Sequence, residues 1–165
     1  MWDDRKQRDI QASEGDTLQV ARFSVGEQEY ALDIMRIKEI INPVPITRVP
    51  NAPTFIEGMI ELRGAFLAVI DLRKRFGLEP APLARDRKYI VVTTKGQNFG
   101  LIVDRVIDVH RIAMGNVRPV PDAVIGPQSR FVKGVIKSDE RIAIAIDLDA
   151  VLSPDERDQL LQLEL

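Results

Sequence analysis

The residues best placed to do chemistry in this chain are Asp71, Asp104 and Asp147, each ending an aliphatic run, with Asp149 close behind. Carboxylates gathered at one point would hold a hard cation such as Mg²⁺ or Ca²⁺ through oxygen ligands. At a strand end, however, aspartate also caps turns and short helices. Asp71 and Asp147 moreover occupy matching positions of two similar segments, which places them at different sites. His110, the only histidine, has no serine or cysteine nucleophile in a recognisable motif beside it. The 165 residues hold no cysteine, which excludes disulfides, thiol nucleophiles and thiolate zinc sites. No glycine-rich phosphate loop is present. The expectation is a chain that is not an enzyme and has no catalytic residue, metal or cofactor.

Arg63-Gly64 is more informative. Between two apolar runs it reads as a tight turn in which glycine supplies positive φ. An arginine held there either points into water or offers a bidentate anchor to a partner's acid or amide. Gly58, Gly100 and Gly134 interrupt strand-like patterns, where glycine marks a bulge or the close approach of another backbone, the partner's or the chain's own. The basic runs Arg73-Lys74-Arg75 and Arg85-Asp86-Arg87-Lys88 read as solvated faces. With 23 basic against 25 acidic residues and only nine aromatics, a nucleic-acid surface is not expected. The longest apolar run, Ala65 to Ile70, is far too short to span a bilayer, and Met1 to Lys6 lacks a signal-peptide core. A cytoplasmic chain without membrane insertion is expected.

The elements that must position these residues are mostly strands. Eighteen Ile and 16 Val against 14 Leu favour half-buried pleated surface. Residues 1–16 read as a mobile polar tail. Leu18 to Val25 and Tyr30 to Ile34 form a hairpin, and Met35 to Ile41 a bend leading into a strand. Phe55 to Leu62 and Ala65 to Leu72 pair about Arg63-Gly64, with the second arm apolar on both faces and hence fully covered. Asp71 to Gly77 is a helical turn closed by glycine. A polar linker at 79–88 separates the halves. Tyr89 to Thr94 and Phe99 to Val109 make another hairpin, His110 to Ser129 is irregular, and Phe131 to Ile136 with Arg141 to Leu148 makes the last. In that last arm Ala143 and Ala145 share one face, against which something packs closely. Residues 153–165 read as an amphipathic helix, with Ser153 as N-cap, Pro154 first, Glu156 closing a capping box, and Leu161 and Leu165 four apart.

The halves repeat one another. Tyr30-Ala31-Leu32, Ile34, Arg36-Ile37 and Glu39-Ile40 match Phe99-Gly100-Leu101, Val103, Arg105-Val106 and Asp108-Val109 at an offset of 69 residues. Phe55 to Ile60 and Ile70 to Leu72 match Phe131 to Ile136 and Ile146 to Leu148 at an offset of 76. Two similar sheet-rich bodies follow, each closed to hide its edges, with a groove between them.

Phe55-Ile56-Glu57-Gly58-Met59-Ile60-Glu61-Leu62-Arg63-Gly64, followed by Val69-Ile70-Asp71-Leu72-Arg73, resembles the CheW family of bacterial chemotaxis coupling proteins. Phe23 to Ile34, Ile46 to Pro53, Gly100 to Asp104 and Phe131 to Gly134 resemble it in the same order, so that the likeness covers roughly residues 17–152. Glu61 stands where asparagine is usual, and Ala68 where proline is frequent. The resemblance implies a mainly β, CheW-like fold of two SH3-like five-stranded barrels, either divided near 79–88 or intertwined, with a C-terminal helix. It implies a non-catalytic adaptor that couples the cytoplasmic helical hairpin tip of a chemoreceptor to the regulatory domain of the histidine kinase CheA, in membrane-associated receptor arrays. A paralogue serving pilus motility or developmental signalling is the alternative, and a carboxylate-metal hydrolase using Asp71, Asp104 or Asp147 the less favoured one. The receptor groove would include Ile37, Glu39, Gly58, Arg63, Gly100 and Val106, so that a bulky side chain at Gly58 would block binding without unfolding. Ile40, Ile41 and Val44 would face the kinase.

Overall fold

Among the described residues, alternating aliphatic residues between short turns build eleven strands: β1 (Thr17–Val25), β2 (Gln28–Asp33), β3 (Ile37–Ile41), β4 (Ile56–Leu62), β5 (Ala65–Asp71), β6 (Lys88–Thr94), β7 (Gln97–Val103), β8 (Arg105–Ala113), β9 (Val117–Arg118), β10 (Val132–Ser138) and β11 (Arg141–Ile146). Among the described residues two α-helices accompany them, α1 (Leu72–Arg75) and α2 (Pro154–Leu163). The structure is a computed structural model and describes residues 16–120, 129–138 and 140–163. The expected tail up to residue 15, Pro121, Pro127, Asp139 and Leu165 lie outside the described residues.

The strands form two sheets, ordered β8-β1-β2-β11-β10-β9 and β3-β6-β7-β5-β4, so the fold is mainly β as expected. Each sheet draws on both halves of the chain. The 79–88 segment runs between α1 and β6, joining strands of one sheet, and the crossings between sheets fall at the 3-10 turn Ile34–Arg36 and at Asp104. The duplication accounts for this arrangement. Tyr30 pairs in parallel with Ile144 and Ala31 with Ala145, while the equivalent Phe99 pairs with Ala68 and Gly100 with Val69. Ile40 pairs with Ile90, and its counterpart Val109 with Ala21. Both repeats therefore make the same ladder and exchange strands to do so. Asp71 N donates to Phe55 O at 2.9 Å, and the matching Asp147 N donates to Phe131 O at 2.8 Å.

The largest buried cluster lies between the sheets. Phe23, Tyr30 and Leu32 of one meet Ile70, Ile90, Phe99 and Leu101 of the other, joined by Leu72, Phe76, Phe131, Leu152 and Leu160. Tyr30 stacks on Phe76 with ring centroids 4.9 Å apart. Two smaller cores fill the individual bodies, one around Val20, Ile112, Val117 and Ile136 and one around Ile60, Leu67, Val69, Tyr89 and Val91. Ala143 and Ala145 pack on the first of these, which is the close packing their size predicts.

Several expectations need correction. The strand through His110 continues to Ala113 because β1 offers partners along its whole length; Phe99 to Val109 is two strands, broken where Asp104 N donates to Ser24 O. β5 is not covered throughout, since Phe66 is 59% exposed. Its alternation carries the face that enters the central core at Ala68 out into solvent two residues earlier. In α2 the capping box forms, with Ser153 N donating to Glu156 Oε1 at 2.8 Å and Glu156 N to Ser153 Oγ at 3.2 Å. The helix buries Leu160 and Arg157, however, and leaves Leu161 exposed. Arg75 sets this face. It holds Glu156 with both terminal nitrogens, at 2.8 and 2.6 Å, and lies over the duplicated rings of Phe55 and Phe131 at 4.1 and 5.0 Å.

Candidate protein-interaction site

The two-residue turn between β4 and β5 places Arg63 at φ 52° and Gly64 at φ 82°, the double positive φ of a primed hairpin turn. Lys95-Gly96 does the same in the next hairpin, so the left-handed arginine is turn chemistry, independent of function. The turn fixes where the side chain starts. Arg63 forms an ion pair with Glu39 on β3, its own side chain 75% exposed and that of Glu39 24%. The register of β3 against β6 shifts between Ile37 and Glu39. As a result Ile37 packs on the central core, while Glu39 lies opposite Val91 of the body's own core.

The repeat carries an acid at the same place in the other body, Asp108 on β8, and gives it a different cation. Arg22 Nε and Nη2 reach Asp108 at 2.8 and 2.6 Å, with the Arg22 side chain only 9% exposed. The hydrogen bond to Asp108 raises the arginine pKa, and the same bond holds the Asp108 carboxyl below its ordinary range. Of the two pairs built on the duplicated acid, only Arg63–Glu39 keeps its cation at the surface, where a partner's carboxylate can compete for it.

The other expected site residues fall in different surroundings. Val106, like Ile37, packs against the central cluster between the sheets. Gly100 is buried inside β7, where an added Cβ would meet Val69 Cγ2 at 3.6 Å. At Gly58, with φ 151°, a Cβ would stand 2.3 Å from Thr47 O and 2.9 Å from Thr47 C. The absent side chain makes room for the chain's own backbone, which bridges β4 through Thr47 N to Met59 O and Met59 N to Thr47 O, both 2.8 Å. The expectation that a bulky residue at Gly58 leaves the fold intact is therefore overturned. Ile41 and Val44 pack on the core of the second body, and Ile40 is 37% exposed.

The aspartates do not gather. Asp71 accepts from Arg73 N as the N-cap of α1, and Asp104 accepts from Gly26 N at 2.7 Å and Arg73 Nη2 at 2.6 Å. Asp149 accepts from Arg36 Nη2 at 2.5 Å and is also bonded by Thr94. Among the described residues no group of three His, Cys, Asp or Glu side chains is close enough to hold a metal. Nor does any described helix have the length and apolarity to cross a membrane.

Sequence reasoning passed over a groove of about 600 Å³ lined by Val44, Pro45, Thr47, Met59, Glu61 and Phe66. The missed signal was a large aromatic next to a hairpin turn, where a sheet face has run past its core.

Residues 19–156 match the CheW-like domain family. The chain is 34% identical to the chemotaxis protein CheW of Rhizobium meliloti over 136 residues, covering 82% of this chain and 88% of that protein. It is 35% identical to the chemotaxis protein CheW of Thermotoga maritima, covering 81% and 87%. The crystal structure of the scaffolding protein TtCheW from Thermoanaerobacter tengcongensis superimposes with a TM-score of 0.80 at 38% identity, over 86% of this chain and 96% of that one.

Proposed function

We infer the role of this chain from the premise that it belongs to the CheW-like family: it is an adaptor of chemotaxis signalling that works by binding, and it couples the helical tip of a chemoreceptor to the regulatory domain of the kinase CheA. The observation that carries the reading is the match of family, sequence and fold over nearly the whole described body. The geometry supports it in two ways. Arg22, Asp104 and Asp149 are engaged in structural bonds, and among the described residues no three His, Cys, Asp or Glu side chains gather at one point. The cation of the Arg63–Glu39 pair is exposed on a rigid turn, in reach of an acid or amide on an incoming helix.

In this reading Arg63 and Glu39 form the polar edge of the receptor site, and Ile37 and Val106 mark the apolar seam between the two bodies. Gly58 and Gly100 support it from within. Ile40, Ile41 and Val44, on the outer strand β3 and just after it, face the kinase. Contacts of this kind bury about 1,000 Å² or less and bind weakly. Array assembly multiplies them through effective concentration.

The test is a pull-down of the full chain with a receptor signalling fragment and with the kinase regulatory domain, separately and together. Arg63→Ala should lower receptor capture roughly tenfold, the effect of one anchoring side chain. Kinase capture should persist. Unchanged receptor capture by a variant with a native circular dichroism spectrum refutes the assignment of Arg63. Capture of neither partner by the wild type refutes the coupling role.

A further inference from the structure

The duplication relates two sheet faces of which only one is covered by a helix. After the β4–β5 hairpin the chain passes through α1 and reverses at Gly77, with φ 69°. At the same offset of 76 residues Ser153 stands in that place and caps α2 instead. α2 then lies along β5 and β7: Ala65, Leu67 and Asn98 line one cleft together with Pro154 and Leu161, Arg157 Nη2 donates to Thr94 Oγ1 at 3.1 Å, and Leu160 is buried in the central cluster. In the other body the matching strands are β11 and β2, joined in the same parallel register. Among the described residues no helix lies along them.

The face left open there holds a cavity of about 100 Å³ walled by Tyr30, Phe76, Phe131, Val132, Ile144 and Ile146. Their counterparts by the two offsets are Phe99, Leu152, Phe55, Ile56, Ala68 and Ile70. In the covered body Ile56 and Ala68 are 7% and 2% exposed, whereas the matching Val132 and Ile144 are only half-buried. An apolar cavity of about 150 Å³ takes a benzene ring, so one of about 100 Å³ suits a leucine side chain. The polar edge is repeated as well. α2 is anchored through Glu156, held by Arg75, which lies over the Phe55 ring at 4.1 Å. Over the matching Phe131 ring lies Arg130, at 4.6 Å, exposed and without an acid partner among the described residues. Arg75 also reaches the Phe131 ring, at 5.0 Å, but is already taken by Glu156.

We propose that this cavity receives an amphipathic helix of a partner protein, which inserts a leucine between β2 and β11 and sets a glutamate, one turn before it, on Arg130. The occupant is read from the duplicate, where Glu156 precedes Leu160 by four residues and the two anchor α2 on the matching strands. The chain's own α2 is held in place by Arg75 and Thr94, so it is not the occupant. Ile37, Glu39, Arg63 and Val106 are absent from the cavity wall. The inference therefore goes beyond the receptor and kinase reading and does not depend on it.

The probe is a synthetic peptide of residues 153–163, its helix fixed by a lactam between Asp158 and the lysine of Gln162→Lys, two positions exposed on α2. Titrated into the full chain and followed by methyl NMR, it should bind with a dissociation constant on the order of 100 µM, that of a small contact, and shift the methyl signals of Leu78, Val132 and Ile144. Leu160→Ala in the peptide and Arg130→Glu in the protein should each weaken binding roughly tenfold, the latter with a native circular dichroism spectrum. Glu156→Lys in the peptide should bind the wild type as weakly and recover its affinity for Arg130→Glu, because the acid–base contact is restored with reversed sign. Absence of binding up to about 1 mM, or equal affinity for all these variants, overturns the proposal. So do shifts confined to Ile56, Ala68 and Ile70, which would mark exchange with α2, and self-association of the wild type through this cavity, which would give it to a second copy. Receptor capture by Arg130→Glu should equal that of the wild type, so this failure and that of the coupling role are read separately; a loss there would assign the cavity to the receptor and overturn the proposal as well.

Discussion

Replacement of Gly58 by alanine tests whether this glycine serves the chain's own backbone or a partner. The added Cβ would lie 2.3 Å from Thr47 O and 2.7 Å from Ile46 Cγ2, and the residue would have to hold φ at 151°. Forcing a non-glycine residue into such a conformation costs about 1–3 kcal/mol. Relief by moving the 46–47 segment breaks two backbone hydrogen bonds, each worth about 0.5–1.5 kcal/mol net. The expected loss is therefore about 2–6 kcal/mol, a large part of the stability of a domain this size. The melting temperature should fall by roughly 5–20 °C, at about 2–4 °C per kcal/mol. Urea and thermal unfolding followed by circular dichroism measure this, and amide exchange at Thr47 and Met59 shows whether the bridge has opened. Gly100→Ala is the control: its Cβ meets Val69 Cγ2 at an ordinary 3.6 Å, so it should cost less than about 1 kcal/mol. A Gly58→Ala protein within about 0.5 kcal/mol of wild type, with both amides still protected, would refute the reasoning.

Other consequences are open to direct measurement. Asp108→Ala leaves Arg22 nearly buried without its acid and should cost about 3–5 kcal/mol in urea unfolding, whereas Arg22→Met should cost less, since the other body holds Val91 at this position. Because Arg22 holds the Asp108 pKa below its unfolded value, the pair stabilises above about pH 4 and is lost as pH falls through the folded pKa. Acid unfolding of Asp108→Asn should accordingly be less steep than that of wild type, and identical profiles would contradict the pairing. Ser153→Ala removes the hydroxyl that accepts from Glu156 N and should lower stability by about 1 kcal/mol, read as a drop of roughly 2–4 °C in melting temperature. Glu39→Gln releases Arg63 for an incoming carboxylate and should tighten receptor binding about two- to fivefold by calorimetry, the worth of an exposed ion pair, with no change in fold.

What the sequence determined by itself was local and repetitive. Alternation of aliphatic residues set strands and faces, Arg63-Gly64 and Lys95-Gly96 set tight turns, and Ser153 to Glu156 set the start of the last helix, because each depends on backbone preferences within a few residues. The two offsets also carried the duplication, and with it the equivalence of Asp71 and Asp147. Tertiary structure decided where those local pieces went. Strand exchange between the repeats placed both halves in each sheet, because parallel ladders such as Tyr30 with Ile144 and Phe99 with Ala68 join residues far apart in the chain, which no local pattern can register. Gly58 read from its neighbours as room for another backbone, a partner's or the chain's own, and only the crossing of Thr47 showed which. Phe66 read as covered from the apolar run around it, yet the sheet extends past the body it packs on, so burial ends before the apolar pattern does. Exposure, and with it the surface available for recognition, depends on how far a neighbouring element reaches, and that length belongs to the folded assembly of strands.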